Sequence, residues 1–385
     1  MKLEQLGTTD AYLYLERYVN QPKYSPTAQY SEAETKYHPR KGNGVIGVPY
    51  TYRDDARCLT AYPDARLLKT MTDSGFRLYM HPQYAEGVIA GTVIATPTSS
   101  TRTVLAQDVP NHFIKLHFPG RISRFHRRLR PDSVQHSIEV SGELEESLES
   151  APSCFAYLPE SIGVYLKGAY GCIIREAVAR PVIQGRALIP FFSLYSKDPL
   201  GDEPLLVQIV KESGRHPLEA FVEQIVMPYL SAWTFFARER GILLEAHCQN
   251  TLLEVDENYK PSRIVFRDFQ SDMIDPIVRQ EKGLRMPFSK HLIGGMHELY
   301  PRKVEYSIVY DHFVASYVFP YFIACLKEYF GISEKETQNE IQQVFRALFP
   351  NQLDVFPETE FTLTDKVDGN NNIEAVNTNE LPRFR

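Results

Sequence analysis

Glycine-rich phosphate loops are missing from this 385-residue chain: its 21 glycines include no Gly-x-x-x-x-Gly-Lys-Ser/Thr run, which excludes a Walker-type nucleotide site. Cysteine is sparse, with five residues at 58, 154, 172, 248 and 325 and no Cys-x-x-Cys pair. That pattern excludes zinc ribbons, iron–sulfur clusters and a disulfide framework, and it points to a reducing cytoplasm. Charge of one sign is not in excess either. The 42 basic and 48 acidic residues leave a net charge of −6, so no global field draws the chain to nucleic acid or to an anionic membrane. Long apolar runs are also lacking. The longest, residues 313–326, is shorter than the ~20 residues a spanning helix needs and contains Pro320, so it reads as a buried helix and no membrane segment is expected. The opening Met1-Lys-Leu-Glu-Gln-Leu-Gly-Thr has no apolar core of the kind a signal peptide carries.

What is present is a chain with 43% hydrophobic residues, enough for a substantial core and two or three lobes around a cleft. A helix is expected over 9–19, then a Pro/Tyr-rich linker. Short β-rich runs follow at 45–48, 87–95, 103–106 and 113–118, ending in an acidic helix over 142–149. Further strands are expected at 162–165, 187–193 and 205–210. Residues 217–240 place Phe221, Ile225, Tyr229, Trp233 and Phe236 on one helical stripe, which reads as core rather than a stacking platform. From 287 to 350 the pattern is mostly helical, with 334–345 amphipathic. The segment Asp368-Gly-Asn-Asn-Asn reads as a turn or loop. The expected fold class is α+β, with a β-rich amino-terminal half and a helical carboxyl lobe. The chain divides into 1–35 (a short helix and linker), 36–212 (a β-rich phosphate-binding region) and 213–385 (a helical region).

Two clusters carry chemistry. In the first, Glu245-Ala-His-Cys-Gln-Asn-Thr-Leu-Leu is followed about twenty residues later by Arg267-Asp-Phe-Gln, each joined to short apolar runs that read as buried strands delivering polar side chains to one cleft. Carboxylates and an amide so placed (Glu245, Asn250, Asp268) are oxygen donors suited to magnesium carrying phosphates. A structural His-Asp-Arg network at strand ends fits these residues equally well. The second cluster is Pro97-Thr-Ser-Ser-Thr-Arg-Thr-Val, with single cations recurring at Lys115, Arg124 and Arg127. Hydroxyls, an arginine fork and a lysine point charge can cradle phosphate oxygens, although Ser/Thr-rich turns and basic strand faces are also ordinary surface. The basic run Arg121-Ile-Ser-Arg-Phe-His-Arg-Arg-Leu-Arg, with two interleaved rings in an acidic chain, suits the wall of a polyanion pocket better than nucleic acid. Cys248 is not read as a nucleophile, and His112, His216 and His312 are read as structural.

Together the clusters resemble the NRPS-independent siderophore synthetases, the aerobactin-synthetase-like ligases of the IucA/IucC type. Their Ser-x-Arg-Thr appears as Ser100-Thr101-Arg102-Thr103. Their Lys-Leu strand and Ile-Thr-x-x-x-Arg appear as Lys115-Leu116 and Ile122-Ser123-x-x-x-Arg127, with serine in place of threonine. Their His-x-Gln-Asn and Arg-Asp-x-Gln appear as His247-Cys248-Gln249-Asn250 and Arg267-Asp268-Phe269-Gln270. Tyr37-His38-Pro39-Arg40-Lys41 is similar to a His-Pro-x-x-Lys element with the lysine one residue early, and Met80-His81-Pro82-Gln83 to a second His-Pro segment. The correspondence runs in order from about residue 36 to 275. Family members usually carry a large region ahead of the His-Pro element, where about 35 residues stand here, so the resemblance implies a short form with part of the usual architecture missing or supplied by another chain.

The resemblance implies a palm, fingers and thumb arrangement around an ATP cleft. It implies a ligase that uses ATP and Mg2+ to adenylate a polycarboxylate such as citrate and joins it to an amine, hydroxylamine or alcohol, releasing AMP and pyrophosphate. On this reading Ser100, Arg102, Thr103, Lys115, Ser123, Arg127 and His38 surround the phosphates and the carboxylate. His247 and Gln249 contact the α-phosphate or the acyl group, and Glu245, Asn250 and Asp268 hold magnesium. Arg102, Lys115, Arg127 and His247 are the catalytic set. Arg285, Arg302 and Lys366 are further candidates for a polycarboxylate. Implied partners are small molecules, with neither nucleic acid nor membrane, and a homo-oligomer or a partner chain. Two rival readings are a kinase-like phosphotransferase, which the absence of a glycine-rich loop and of His-Arg-Asp disfavours, and a family member that binds ligand without turnover.

Overall fold

The computed structural model describes residues 1–20, 32–108, 110–122, 125–288, 300–364 and 374–385. Its architecture is the expected α+β mixture. Helix α1 (Thr9–Tyr18) begins where the Thr8 hydroxyl accepts from the Ala11 amide. An antiparallel sheet follows, built from β1 (Ile46–Arg53), β2 (Ala56–Thr60), β3 (Phe76–Tyr79), β4 (Gly91–Pro97), β5 (Thr103–Ala106), β6 (His112–Lys115), and, after the hairpin β7 (Phe118–Ile122) and β8 (Phe125–Arg127), helix α2 (Pro131–Glu146) and β9 (Phe155–Tyr157), from β10 (Glu160–Leu166) and β11 (Gly171–Glu176).

The eight strands run β2-β10-β11-β6-β5-β4-β1-β3, and the sheet curls until β3 at one edge approaches β2 and β10 at the other. Val48, Leu78, Val104, Ile114, Ile162, Val164 and Ile174 fill the curl as one cluster. These β-branched and aliphatic residues suit a pleated surface, and burying each contributes roughly 1.5–3 kcal/mol. Lys115 ends a strand of this core with its side chain 1% exposed, a placement that only an anionic partner can sustain.

A second sheet runs β12-β14-β15-β9, where β12 is Ala187–Pro190, β14 Thr251–Val255 and β15 Pro261–Phe266. β15 is antiparallel to β14 and parallel to β9. The short strands β13 (Ile242–Leu243) and β16 (Met273–Ile274) pair with each other. Residues 217–240 form a continuous helical segment with π-helical turns at Val222–Val226 and Phe236–Arg240. Its expected stripe is core: Phe221, Ile225, Tyr229, Trp233 and Phe236 are all buried. The same stripe positions the site. The Trp233 indole donates to the Leu244 carbonyl at 3.1 Å and the Tyr229 hydroxyl to the Ala246 carbonyl at 2.5 Å, clamping the chain on both sides of Glu245.

Several expected elements differ. Residues 205–210 are not a strand but the start of helix Leu205–Glu212. Pro204 precedes the first turn, and Leu205, Leu206, Ile209 and Val210 share a buried face at helical spacing, which overrides the local β-branched preference. The strand expected over 187–193 stops at Pro190, where the chain turns into helix Phe191–Tyr195. The run 113–118 is split between β6, which ends at Lys115, and β7, which starts at Phe118; the Leu116 amide still bonds the Arg102 carbonyl opposite it. The acidic helix starts earlier, at Pro131, with proline in its first turn, and ends at Glu146. The strands near 45 and 87 are shifted to Ile46–Arg53 and Gly91–Pro97. The apolar stretch at 313–326 belongs to a longer helical run, Arg302–Phe330. That run is long and apolar enough by composition to cross a membrane, yet it packs Tyr306, Tyr310, Val314, Phe319, Phe322 and Leu326 into the main core. The amphipathic helix near the end is Glu334–Leu348. Asp368 and the asparagines after it lie outside the described residues.

Candidate active site

The turn at 98–102 is shaped by its own hydroxyls. Thr98 Oγ1 donates to the Thr103 carbonyl at 2.8 Å, and the Ser100 hydroxyl accepts from the Arg102 amide at 3.4 Å. Arg102 then lies 4% exposed, Nη1 donating to the Arg127 carbonyl at 2.9 Å and Nη2 to the Gln270 side chain at 3.4 Å. Both acceptors are neutral, so the guanidinium keeps its charge for something else. Burial, and then the neighbouring Arg127 guanidinium, push its pKa down to about 10. Thr103 opens β5 directly across from Lys115 on β6.

Lys115 donates to the carboxylate of Asp268 and stands 4.0 Å from Glu160. Burial pushes its amine down, against the pull of those two acids. Asp268 sits just past the end of β15 with φ +76°, a left-handed conformation that an aspartate tolerates better than most residues. Burial alone would raise its carboxyl, but Lys115, Arg175 and Arg102 outweigh it and hold the group well below the usual carboxylate range. Arg175 approaches the second Asp268 oxygen at 3.7 Å.

Glu245 follows β13, its amide donating to Asp272 Oδ1 at 2.7 Å. Burial and the negative charge of Asp268 push its carboxyl up to about 8, with Arg127 and Lys115 pulling the other way. Two carboxylates that disfavour each other's ionisation form an oxygen-donor set that a divalent cation would relieve, so Asp268 and Glu245 fit magnesium. Asn250 is nearby but directs its Nδ2 to the Glu245 carbonyl at 3.0 Å, stiffening the turn. Among the described residues no three His, Cys, Asp or Glu side chains gather as a metal site.

His247 Nε2 is 4.0 Å from Glu245 Oε1, and its Nδ1 accepts from the Gln249 amide at 3.2 Å. Burial pushes its pKa down to about 4, leaving a neutral imidazole near pH 7. Gln249 offers its carbonyl to Arg267 Nε at 2.9 Å.

The structure thus brings Ser100, Arg102, Thr103, Lys115, Arg127, Glu245, His247, Gln249, Asn250 and Asp268 to neighbouring loop and strand ends. Four cations (Arg102, Lys115, Arg127, Arg175) face the carboxylates of Glu160 and Asp268, a positive excess suited to a polyphosphate or a polycarboxylate. His38 is placed apart. Its Nδ1 accepts from the amides of Arg40 and Lys41, both at 3.1 Å, in a turn against the end of α1, and Lys41 is exposed. Ser123, Arg124 and Lys366 lie outside the described residues. Arg285 and Arg302 are already paired, with Glu146 and with Asp275 at 2.7 Å each.

Sequence reasoning missed Glu160, Arg175 and Glu16. Glu160 Oε1 accepts from Arg175 at 3.1 and 2.5 Å, and its other oxygen accepts from Ser137 and from the Phe269 amide. The available signal was a charge interrupting an apolar strand, in Leu158-Pro-Glu-Ser-Ile and in Cys172-Ile-Ile-Arg.

Two family models match the chain: one described as the IucA / IucC family, over residues 86–196, and one described as ferric iron reductase FhuF-like transporter, over 218–363. An L-2,3-diaminopropanoate–citrate ligase of Staphylococcus aureus is 25% identical over 265 residues, 61% of this chain and 44% of that protein. Matched stretches span 30–44% of the curated relatives' own length. The crystal structure of the petrobactin biosynthesis protein AsbB from Bacillus anthracis superposes with a TM-score of 0.75 at 17% identity, covering 99% of this chain and 76% of that one. ATP-bound aerobactin synthetase IucA from Klebsiella pneumoniae superposes at 0.65 and 13%, covering 98% and 79%. At those identities the superpositions establish a shared fold.

Proposed function

We propose that the chain, whose residues 86–196 match the IucA / IucC family model, is an ATP-dependent ligase that adenylates a polycarboxylate and condenses it with an amine, hydroxylamine or alcohol. The observation that carries this reading is the gathering of Lys115, Arg102 and Arg127 around Asp268, with Arg127 and Lys115 also acting on Glu245. A relative named for citrate ligation and a neighbour solved with ATP agree with it.

A carboxylate is a poor acylating agent, since direct amide formation must expel oxide. In the first step a substrate carboxylate oxygen attacks the α-phosphorus of ATP, and the bond to the β-phosphate oxygen breaks to release pyrophosphate. In the second the nucleophile attacks the acyl carbon, loses its proton and releases AMP. Catalysis rests on alignment and on charge stabilisation. Arg102, Lys115 and Arg127, with the hydroxyls of Ser100 and Thr103, surround the phosphates and the carboxylate. Neutral His247 and Gln249 contact the α-phosphate or acyl group. Asp268 and Glu245, with Asn250 beside them, would hold magnesium, which when bound supplies charge neutralisation to the phosphates. The reaction belongs in the cytoplasm, where ATP is available and all five cysteines remain free thiols.

The test is incubation with ATP, magnesium, hydroxylamine and a panel of di- and tricarboxylates. Acid-dependent AMP, pyrophosphate and hydroxamate are expected, and Asp268→Ala and Arg102→Ala should abolish them. ADP and phosphate would instead mean phosphoryl transfer. Pyrophosphate release that persists in both variants would refute the assigned site.

A further inference from the structure

Helix α1 precedes every family motif and lies outside both stretches that the family models match. Its side chains nevertheless bond three of the segments singled out above, those of Ser99, Arg267 and His38. Glu16, 0% exposed, accepts from Arg267 Nη1 at 2.5 Å through Oε1 and from the Ser99 amide at 3.1 Å through Oε2. Arg267 adjoins Asp268 and also donates to the Gln249 carbonyl, so one carboxylate ties the turn of Arg102 to both the Arg-Asp and His-Cys-Gln-Asn segments. Tyr12 completes the knot, donating to Glu16 at 2.8 Å and accepting from Arg267 at 2.6 Å. The next residue, Arg17, faces the other way. Its guanidinium donates to the carbonyls of Pro39, Gly44 and Asn43 at 2.8, 3.1 and 3.3 Å, fixing the turn that carries His38.

We propose that Glu16 is a positioning residue of this site, and that α1 is the strut holding the Ser99–Arg102, His247–Asn250 and Arg267–Gln270 segments in register. An apolar contact would pack α1 equally well, because a buried ion pair adds little net stability over hydrophobic residues of similar volume. What the charged pair adds is direction. Each Glu16 oxygen fixes a different loop, and each loop carries a group assigned above to the phosphates or to magnesium. The geometry stands on its own; its functional consequence rests on the ligase reading.

The test compares Glu16→Gln, which keeps the shape and removes the charge, with Tyr14→Phe. Tyr14 is on the same helix but bonds Asp198, outside the motifs. Amide hydrogen exchange of the full-length protein, without ligand, should rise about tenfold over 98–106 and 246–270 in Glu16→Gln and stay at the wild-type level in Tyr14→Phe. Unchanged exchange in Glu16→Gln overturns the proposal. So does a uniform rise that includes 302–330, since Glu16 would then be a packing residue only. Calorimetric titration with magnesium-ATP should next show about tenfold weaker binding by Glu16→Gln and wild-type affinity for Tyr14→Phe. Wild-type affinity in Glu16→Gln refutes the positioning role. Wild-type protein that binds no magnesium-ATP refutes the ligase reading and leaves the exchange experiment to judge the strut.

Discussion

Lys115 and Asp268 are 153 positions apart in the chain, yet the lysine amine donates directly to the aspartate carboxylate. The contact joins the last residue of a strand in the curled sheet to a left-handed residue just past a strand of the second sheet. The two sheets therefore meet at the carboxylate proposed to hold magnesium.

That pairing is unequal, and the inequality can be measured. Lys115 is 1% exposed and Asp268 27%. Asp268→Asn leaves Lys115, Arg175 and Arg102 with Glu160 as their nearest remaining acid, and it should destabilise by about 3 kcal/mol or more. Lys115→Met leaves Asp268 with Arg175 and water and should cost clearly less. Urea unfolding of both variants and the double variant gives the two values and their coupling.

Glu245 should make stability fall as pH rises. Its folded pKa of about 8 lies above the ordinary 4.5, so the protonated folded form is favoured. That contribution is complete below pH 4.5 and is lost as pH climbs through 8. Relative to Glu245→Gln, the wild type should lose on the order of 2 kcal/mol between pH 5 and 8, as followed by thermal melts across that range. Added magnesium should narrow the loss in the wild type and leave Glu245→Gln unmoved.

His247 should do the opposite at acid pH. Its pKa is depressed to about 4 from an ordinary 6.5, so the unfolded chain takes up a proton first and stability falls as pH drops from 6.5 to 4. Its imidazole carbon-bound proton signals should hold the neutral shift down to pH 5. A titration midpoint near 6.5 would show an imidazole open to water.

The hairpin under the site depends on one buried pair. Arg263 on β15 holds Glu254 on β14 through two bonds of 2.8 and 2.6 Å, with side chains 3% and 1% exposed. Glu254→Gln or Arg263→Met alone should cost about 3–5 kcal/mol, and the apolar double replacement Glu254→Leu/Arg263→Met much less. Denaturant midpoints of the three variants decide it.

Much of the candidate site was legible because its residues come in short, ordered groups. Ser100 with Arg102, and His247 with Asn250, stand at spacings that one turn or strand end can present together. Glu16, Glu160 and Arg175 were not legible. Each is a single charge in an apolar stretch, and nothing local distinguishes a buried partner from a surface residue. Residues 205–210 misled for a related reason, since a short aliphatic run suits a strand or a buried helix until its neighbours show which face is covered.

The amino-acid sequence by itself determined the α+β class, the aromatic stripe of 217–240 and the chemistry available at the strand ends, because periodicity, spacing and residue type are local properties. Only the tertiary structure decided which charges meet. Asp268 is held below the ordinary carboxylate range and Glu245 raised to about 8, although both are acids on neighbouring loops. The difference lies in distance: Lys115, Arg102 and Arg175 arrive beside Asp268 from strands far away in the chain, while Glu245 is raised by its own burial and by the charge of Asp268.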